Sequence, residues 1–151
     1  MAFHPDIVVT GPDSSRVLIA VEARTNEREF RSQAEDIRTY LLRMSCPLGL
    51  LVFPDKLWLY RNTYSGADES SIEELGPYRM PPAVLRFRGI DYAIEPRQFE
   101  ASVQHWLQEL ADRQEFPHVS PELQAALEAY VLPSLASGEI RAAGPRTASP
   151  A

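Results

Sequence analysis

Three residues near the N-terminus, Asp6, Glu22 and Arg24, have types and a spacing that suit metal-assisted chemistry. Asp6 sits in the short apolar run Pro5-Asp6-Ile7-Val8-Val9, and Glu22 lies near the end of a longer one, Arg16-Val17-Leu18-Ile19-Ala20-Val21-Glu22-Ala23. Between them, Gly11-Pro12-Asp13-Ser14-Ser15 is a concentrated turn signal. Both runs have strand length, so the segment reads as a β-hairpin with Asp6 and Glu22 near the end away from its turn. Residues two apart on a strand share a face, which puts Glu22 and Arg24 on the same side. Two converging carboxylates beside a cation suit phosphodiester hydrolysis. The carboxylates hold Mg²⁺ or Mn²⁺ while leaving positions for water and substrate oxygens. The ion generates the nucleophile, and the cationic side chain orients the phosphate. Taken singly, each residue has a plainer reading: Asp6 caps a turn, Glu22 is an exposed strand residue, and Arg24 pairs with Glu22 or Glu27. Their joint placement on adjacent strands favours the metal site.

The elements that must position these side chains follow from periodicity. Phe30, Ala34, Ile37, Leu41 and Met44 recur at three- and four-residue steps, the stripe of an amphipathic helix that Cys46-Pro47 ends. Leu48 to Phe53 and Leu57 to Tyr60 are further apolar runs, separated by Pro54-Asp55-Lys56, and predict a second hairpin. Strand, strand, helix, strand, strand is the order of a compact mixed sheet with a helix on one face. This core spans residues 1–62. A loop-rich connection over 63–95 follows, with Thr63 to Pro82 lacking regular structure and a short strand at Val84 to Phe87. Pro96 to Asp112 reads as a helix with Phe99, Val103, Trp106, Leu107 and Leu110 on one side. Ser120-Pro121-Glu122 opens another with a capping hydroxyl, a proline and a first-turn acid, and Pro133 is expected to stop it at Leu132. Residues 96–137 thus form a helical part of the same domain, and the small, Pro-rich stretch 138–151 reads as a disordered tail.

At 151 residues and 44% hydrophobic content, the chain can bury one good core. No stretch approaches the ~18 consecutive apolar residues of a membrane span. The start Met1-Ala2-Phe3-His4 has neither a basic nor an apolar signal region, so a cytoplasmic location is expected. Cys46 is the only cysteine, which excludes an internal disulfide framework and a cysteine-based zinc site. The net charge of -6 argues against a broad electrostatic grip on nucleic acid. It does not exclude a nuclease, because a metal site adds acidic residues and a partner subunit can supply backbone contacts. His4, His105 and His118 lack partner spacing and read as uninvolved. Trp58, Tyr60 and Trp106 read as core or core-edge aromatics rather than a base-stacking platform. Ser14 lacks a nucleophile-elbow context, and no phosphate-binding loop of the G-x-x-x-x-G-K type is present.

Pro5-Asp6 followed by Val21-Glu22-Ala23-Arg24 resembles the motif of the PD-(D/E)XK nuclease superfamily. Within it, the chain is similar to the nuclease domains of type I restriction enzymes and to the archaeal Holliday junction resolvase-like branch, over roughly residues 4 to 60. The resemblance implies a restriction-endonuclease-like α/β fold, a mixed β-sheet flanked by helices. It implies a domain that hydrolyses DNA in restriction, repair or phage defence, with Mg²⁺ or Mn²⁺ held by Asp6, Glu22 and the Ala23 carbonyl. In those relatives a helix carrying Gln and Tyr follows the motif. Gln33 and Tyr40, seven residues apart, are the local counterparts, at a wider spacing than the family's. Two departures matter. The motif lysine is Arg24, which is always charged and cannot act as a base. Lys56, the only lysine, is a candidate relocated cation, against its reading as a solvated turn residue. The family core also begins with a helix and a strand before the motif, whereas four residues precede Pro5 here. The chain is then a fragment, has another element in that place, or carries a degenerate site. The alternatives to a nuclease are therefore a catalytically degenerate module that binds nucleic acid or protein, and a domain completed by a partner subunit or a homodimer through an exposed sheet edge.

Overall fold

The two N-terminal apolar runs become antiparallel neighbours. β1 (Ile7–Thr10) pairs with β2 (Val17–Ala23), with Ile7 opposite Val21 and Val9 opposite Ile19. Every residue of β1 is buried, which explains an unbroken apolar run where a half-exposed strand would alternate. The structure is a computed structural model, and it describes residues 3–12, 16–81, 95–116 and 118–142. The turn at 13–15 and the strand expected at Val84 to Phe87 lie outside the described residues.

After β2 the chain forms α1 (Phe30–Met44), with Ala34, Ile37 and Leu41 buried against the sheet. The helix closes where Ser45 turns left-handed (φ 50) and the Cys46 N–H donates to the Leu41 carbonyl at 3.0 Å. The crossover returns the chain as β3 (Leu48–Val52), which runs parallel to β2. A Cβ on Gly49 would meet the Ile37 and Leu41 side chains at 3.4 Å, so this small residue lets α1 lie close on the sheet. β4 (Lys56–Asn62) turns back antiparallel to β3 through a tight turn in which Phe53 and Lys56 exchange backbone hydrogen bonds.

Three elements depart from the sequence expectation. Within the stretch expected to lack regular structure, Ile72–Arg79 forms β5, antiparallel to β4 and at the sheet edge. Gly76 (φ 110) and Pro77 make a bulge there, two residues against Trp58 alone. An edge strand tolerates such residues because only one of its sides must pair. The last helical run does not stop before Pro133. It passes from α3 (Pro121–Ala126) through a π turn at Leu127–Val131 into α4 (Leu132–Ser137). The wider turn, with the Leu132 N–H bonded to the Leu127 carbonyl, accommodates a proline ring that would crowd an ordinary helix. Within the expected tail, Glu139–Ala142 forms β6, antiparallel to β1, and residues 143–151 lie outside the described residues.

The six strands stand in the order β5-β4-β3-β2-β1-β6, with β2 and β3 the one parallel pair. β6 covers the side of β1 that the sequence left as an exposed edge for self-association. Helices flank both faces. α1 covers a cluster that includes Ala20, Leu51, Phe53 and Tyr60. The expected C-terminal helix, α2 (Pro96–Arg113), packs with α3 and α4 over Ile7, Val9, Ile19, Val21 and Leu50 on the opposite face. No helix among the described residues is long and apolar enough to cross a membrane.

Gly138 is where the chain leaves α4 and joins the sheet. A Cβ there would meet the Thr10 carbonyl oxygen at 2.7 Å and the Ser134 carbonyl oxygen at 2.8 Å. Gly138→Ala should therefore push β6 away from β1 and cost about 1–3 kcal/mol. Urea unfolding of the two proteins measures this, and a change within error would mean that β6 contributes little to the sheet.

Candidate functional site

The hairpin register positions the acids. With Ile7 opposite Val21, the next pair outward is Asp6 and Glu22, and the Asp6 N–H donates to the Val21 carbonyl at 2.9 Å. Directly opposed side chains on one face start about 5 Å apart at Cβ. That face is the one under α1, because Ala20, two residues before Glu22, belongs to the α1-side cluster. The plainer reading of Glu22 as an exposed strand residue does not hold: its side chain is 0% exposed. Asp6 is also buried, and its Oδ2 accepts the Ala23 N–H at 2.9 Å.

Arg24 is held at the strand end by its own N–H, which donates to the Val52 carbonyl at 2.9 Å. Its side chain folds back over the motif. Nη1 donates to Asp6 Oδ2 at 3.0 Å and to the Ala23 carbonyl at 3.1 Å, while Nη2 pairs with Glu22 Oε2. The three groups expected to hold a metal thus converge, and the cation at their centre is the guanidinium. The Glu22 carboxyl also hydrogen-bonds with Asp6.

Burial pushes the Glu22 carboxyl up to about 9, and the negative Asp6 raises it further than the Arg24 guanidinium lowers it. At neutral pH this carboxyl keeps its proton, so the facing pair carries one negative charge, matched by Arg24. A divalent ion would have to displace both that proton and the guanidinium. The donor set fits such an ion chemically, since two carboxylates and a carbonyl leave room for the waters and substrate oxygens that Mg²⁺ retains. No group of three or more His, Cys, Asp or Glu side chains is placed to hold a metal among the described residues.

Gln33 donates to Glu29 at 3.5 Å and has a buried Oε1 that accepts no hydrogen bond among the described residues. Tyr40 packs edge-on against Phe3, which leads into Asp6, at 5.8 Å between ring centroids. Neither hydrogen-bonds to Glu22 or Arg24 among the described residues. Lys56 stands at the same end of the sheet but is tied to Glu27 at 2.9 Å, across the face of Trp58. His4 and His118 are exposed, and His105 pairs with Glu109 along α2. Tyr60 and Trp106 are core residues, and Trp58 is half-buried between Phe30 and Phe53. Two further cations, Arg28 and Arg31, are exposed on the segment that leaves the motif and enter no ion pair among the described residues. Their sequence signal is two arginines, three apart, that follow the motif within eight residues of Ala23.

The raised Glu22 carboxyl has a consequence for stability. Between about pH 5 and pH 9 the folded chain holds a proton here that the unfolded chain has lost. This contribution is complete below the ordinary carboxylate range and is lost as pH rises towards 9. Glu22→Gln, which cannot ionise, should remove that decline and be the more stable protein at alkaline pH. Denaturation midpoints across this range test it, and parallel pH profiles for the two proteins would refute it.

Comparison with protein-family models, with curated proteins and with solved structures finds no match to this chain, so the assignment of the site is carried by its own residues.

Proposed function

We propose that this chain is a restriction-endonuclease-like domain that hydrolyses DNA phosphodiester bonds with Mg²⁺ or Mn²⁺. The observation that carries the reading is the convergence of Asp6 Oδ2, the Glu22 carboxyl and the Ala23 carbonyl on one cationic group. The surroundings support it. The motif hairpin is followed by a helix and a parallel strand, the order the resemblance calls for. β6 pairs with β1, and the helices α2–α4 cover the sheet face opposite α1.

In this reading Asp6, Glu22 and the Ala23 carbonyl hold the ion, which supplies an activated water and charge neutralisation when bound. Glu22 gives up its proton at that step. Arg24 turns outward and receives a non-bridging phosphate oxygen, a role its forked donors suit better than a proton transfer does. Arg28 and Arg31 extend the positive lip along the DNA backbone. Gln33 and Tyr40 flank the site from α1 as auxiliary residues.

A second reading has one observation in its favour. A guanidinium that already neutralises both acids is what a non-catalytic descendant would keep, serving as a nucleic-acid or protein-binding module of the same fold.

Asp6→Ala and Glu22→Ala should each reduce divalent-dependent cleavage of DNA at least about a hundredfold. Activity on plasmid and short duplex substrates is the readout, and cleavage that survives both substitutions would remove the nuclease assignment. Cleavage seen only in Arg24→Lys would favour the second reading.

A further inference from the structure

We propose that Arg24 is a gate on the metal site, opened by a nucleic-acid phosphate, so that divalent cation and phosphodiester bind cooperatively. The inference rests on the nuclease-type reading of Asp6 and Glu22 and adds a regulatory role for a residue of this chain. The guanidinium makes one contact to each candidate ligand: Asp6 Oδ2 at 3.0 Å, the Ala23 carbonyl at 3.1 Å, and Glu22 Oε2. An ion that takes these same atoms cannot share them with a guanidinium, so the side chain must leave first.

The chain permits that departure. The Arg24 backbone is fixed by its hydrogen bond to Val52, but its side chain is 33% exposed, the least buried of the three motif side chains. It lies at a strand end, where rotation about its own torsions leaves the sheet unchanged. Outside the site it needs an anion with two paired oxygens to replace the carboxylates, and the two non-bridging oxygens of a phosphodiester accept the same forked pair of hydrogen bonds. The exposed Arg28 and Arg31 give such an anion further reason to settle at this end of the sheet. Once Arg24 is outside, Asp6 and the fully buried Glu22 have lost their counter-charge, and a divalent cation restores it. Linkage then runs both ways: phosphate favours metal, and metal favours phosphate by the same factor.

The test is calorimetric titration of Mn²⁺ into wild type and Arg24→Ala, each with and without a short phosphorothioate duplex that resists cleavage. The duplex should tighten Mn²⁺ binding to wild type by about tenfold or more, within the range of ordinary coupling. Arg24→Ala should bind Mn²⁺ alone about tenfold more tightly than wild type does, and the duplex should leave that affinity unchanged. Adding Glu22→Ala to Arg24→Ala should abolish binding. Arg24→Gln, which keeps a donor for the Ala23 carbonyl, serves as the companion variant if thermal unfolding shows that alanine disturbs the fold. Equal, Glu22-dependent Mn²⁺ affinities in wild type and both variants would overturn the gate and leave the metal site standing. Absence of Mn²⁺ binding in every protein, with and without duplex, would overturn both.

Discussion

Two carboxyl groups that face each other across an antiparallel strand pair, one of them wholly buried, cannot both ionise without a counter-charge in contact. The arrangement of this site answers that constraint. Glu22 keeps a proton, and Arg24 reaches back from the strand end to meet Asp6, the Ala23 carbonyl and Glu22 together. The proton and the guanidinium leave the acids compact and neutralised. On the proposed reading, the same pairing would serve a resting nuclease and a retired one, which differ in whether a phosphate draws Arg24 away.

The sheet around the hairpin makes that geometry rigid. β2 is paired on both sides, with β1 and with the parallel β3, so Glu22 and Arg24 sit on a backbone that cannot slip by one residue without moving Ile19 and Val21 off the face that the C-terminal helices pack and Glu22 onto it. β1 is paired on both sides too, because β6 returns from the far end of the chain. The C-terminal helices then cover the face opposite the site, and α1 covers the site's own face. Burial of Glu22 is a product of this sandwich, and it is what raises its carboxyl.

What was legible beforehand was local. The hairpin, α1, β3 and β4 announced themselves through runs and stripes long enough to carry a period, and the start of α3 through its Ser120 cap, which accepts the Leu123 N–H at 3.2 Å. β5 was not legible, since Glu73, Glu74, Gly76 and Pro77 resemble loop composition. These residues are tolerated because one side of an edge strand needs no partner. β6 was read as tail for a similar reason: four residues of mixed polarity carry no pattern, and they become a strand only because β1 offers an unpaired side. Pro133 was read as a stop because nothing local tells that the turn before it will widen.

The sequence by itself determined which charged residues fall together and which strands bear them, because residue type and a two-residue repeat are local properties. It determined that Asp6, Glu22 and Arg24 would stand at one end of a hairpin. Only the tertiary structure decided how they stand: Glu22 fully buried, Arg24 turned inward among Asp6, Glu22 and the Ala23 carbonyl, Lys56 drawn off to Glu27, and the open side of β1 closed by residues 139–142. Burial, charge pairing and strand closure depend on which distant segments pack together, and no window of neighbouring residues contains that information.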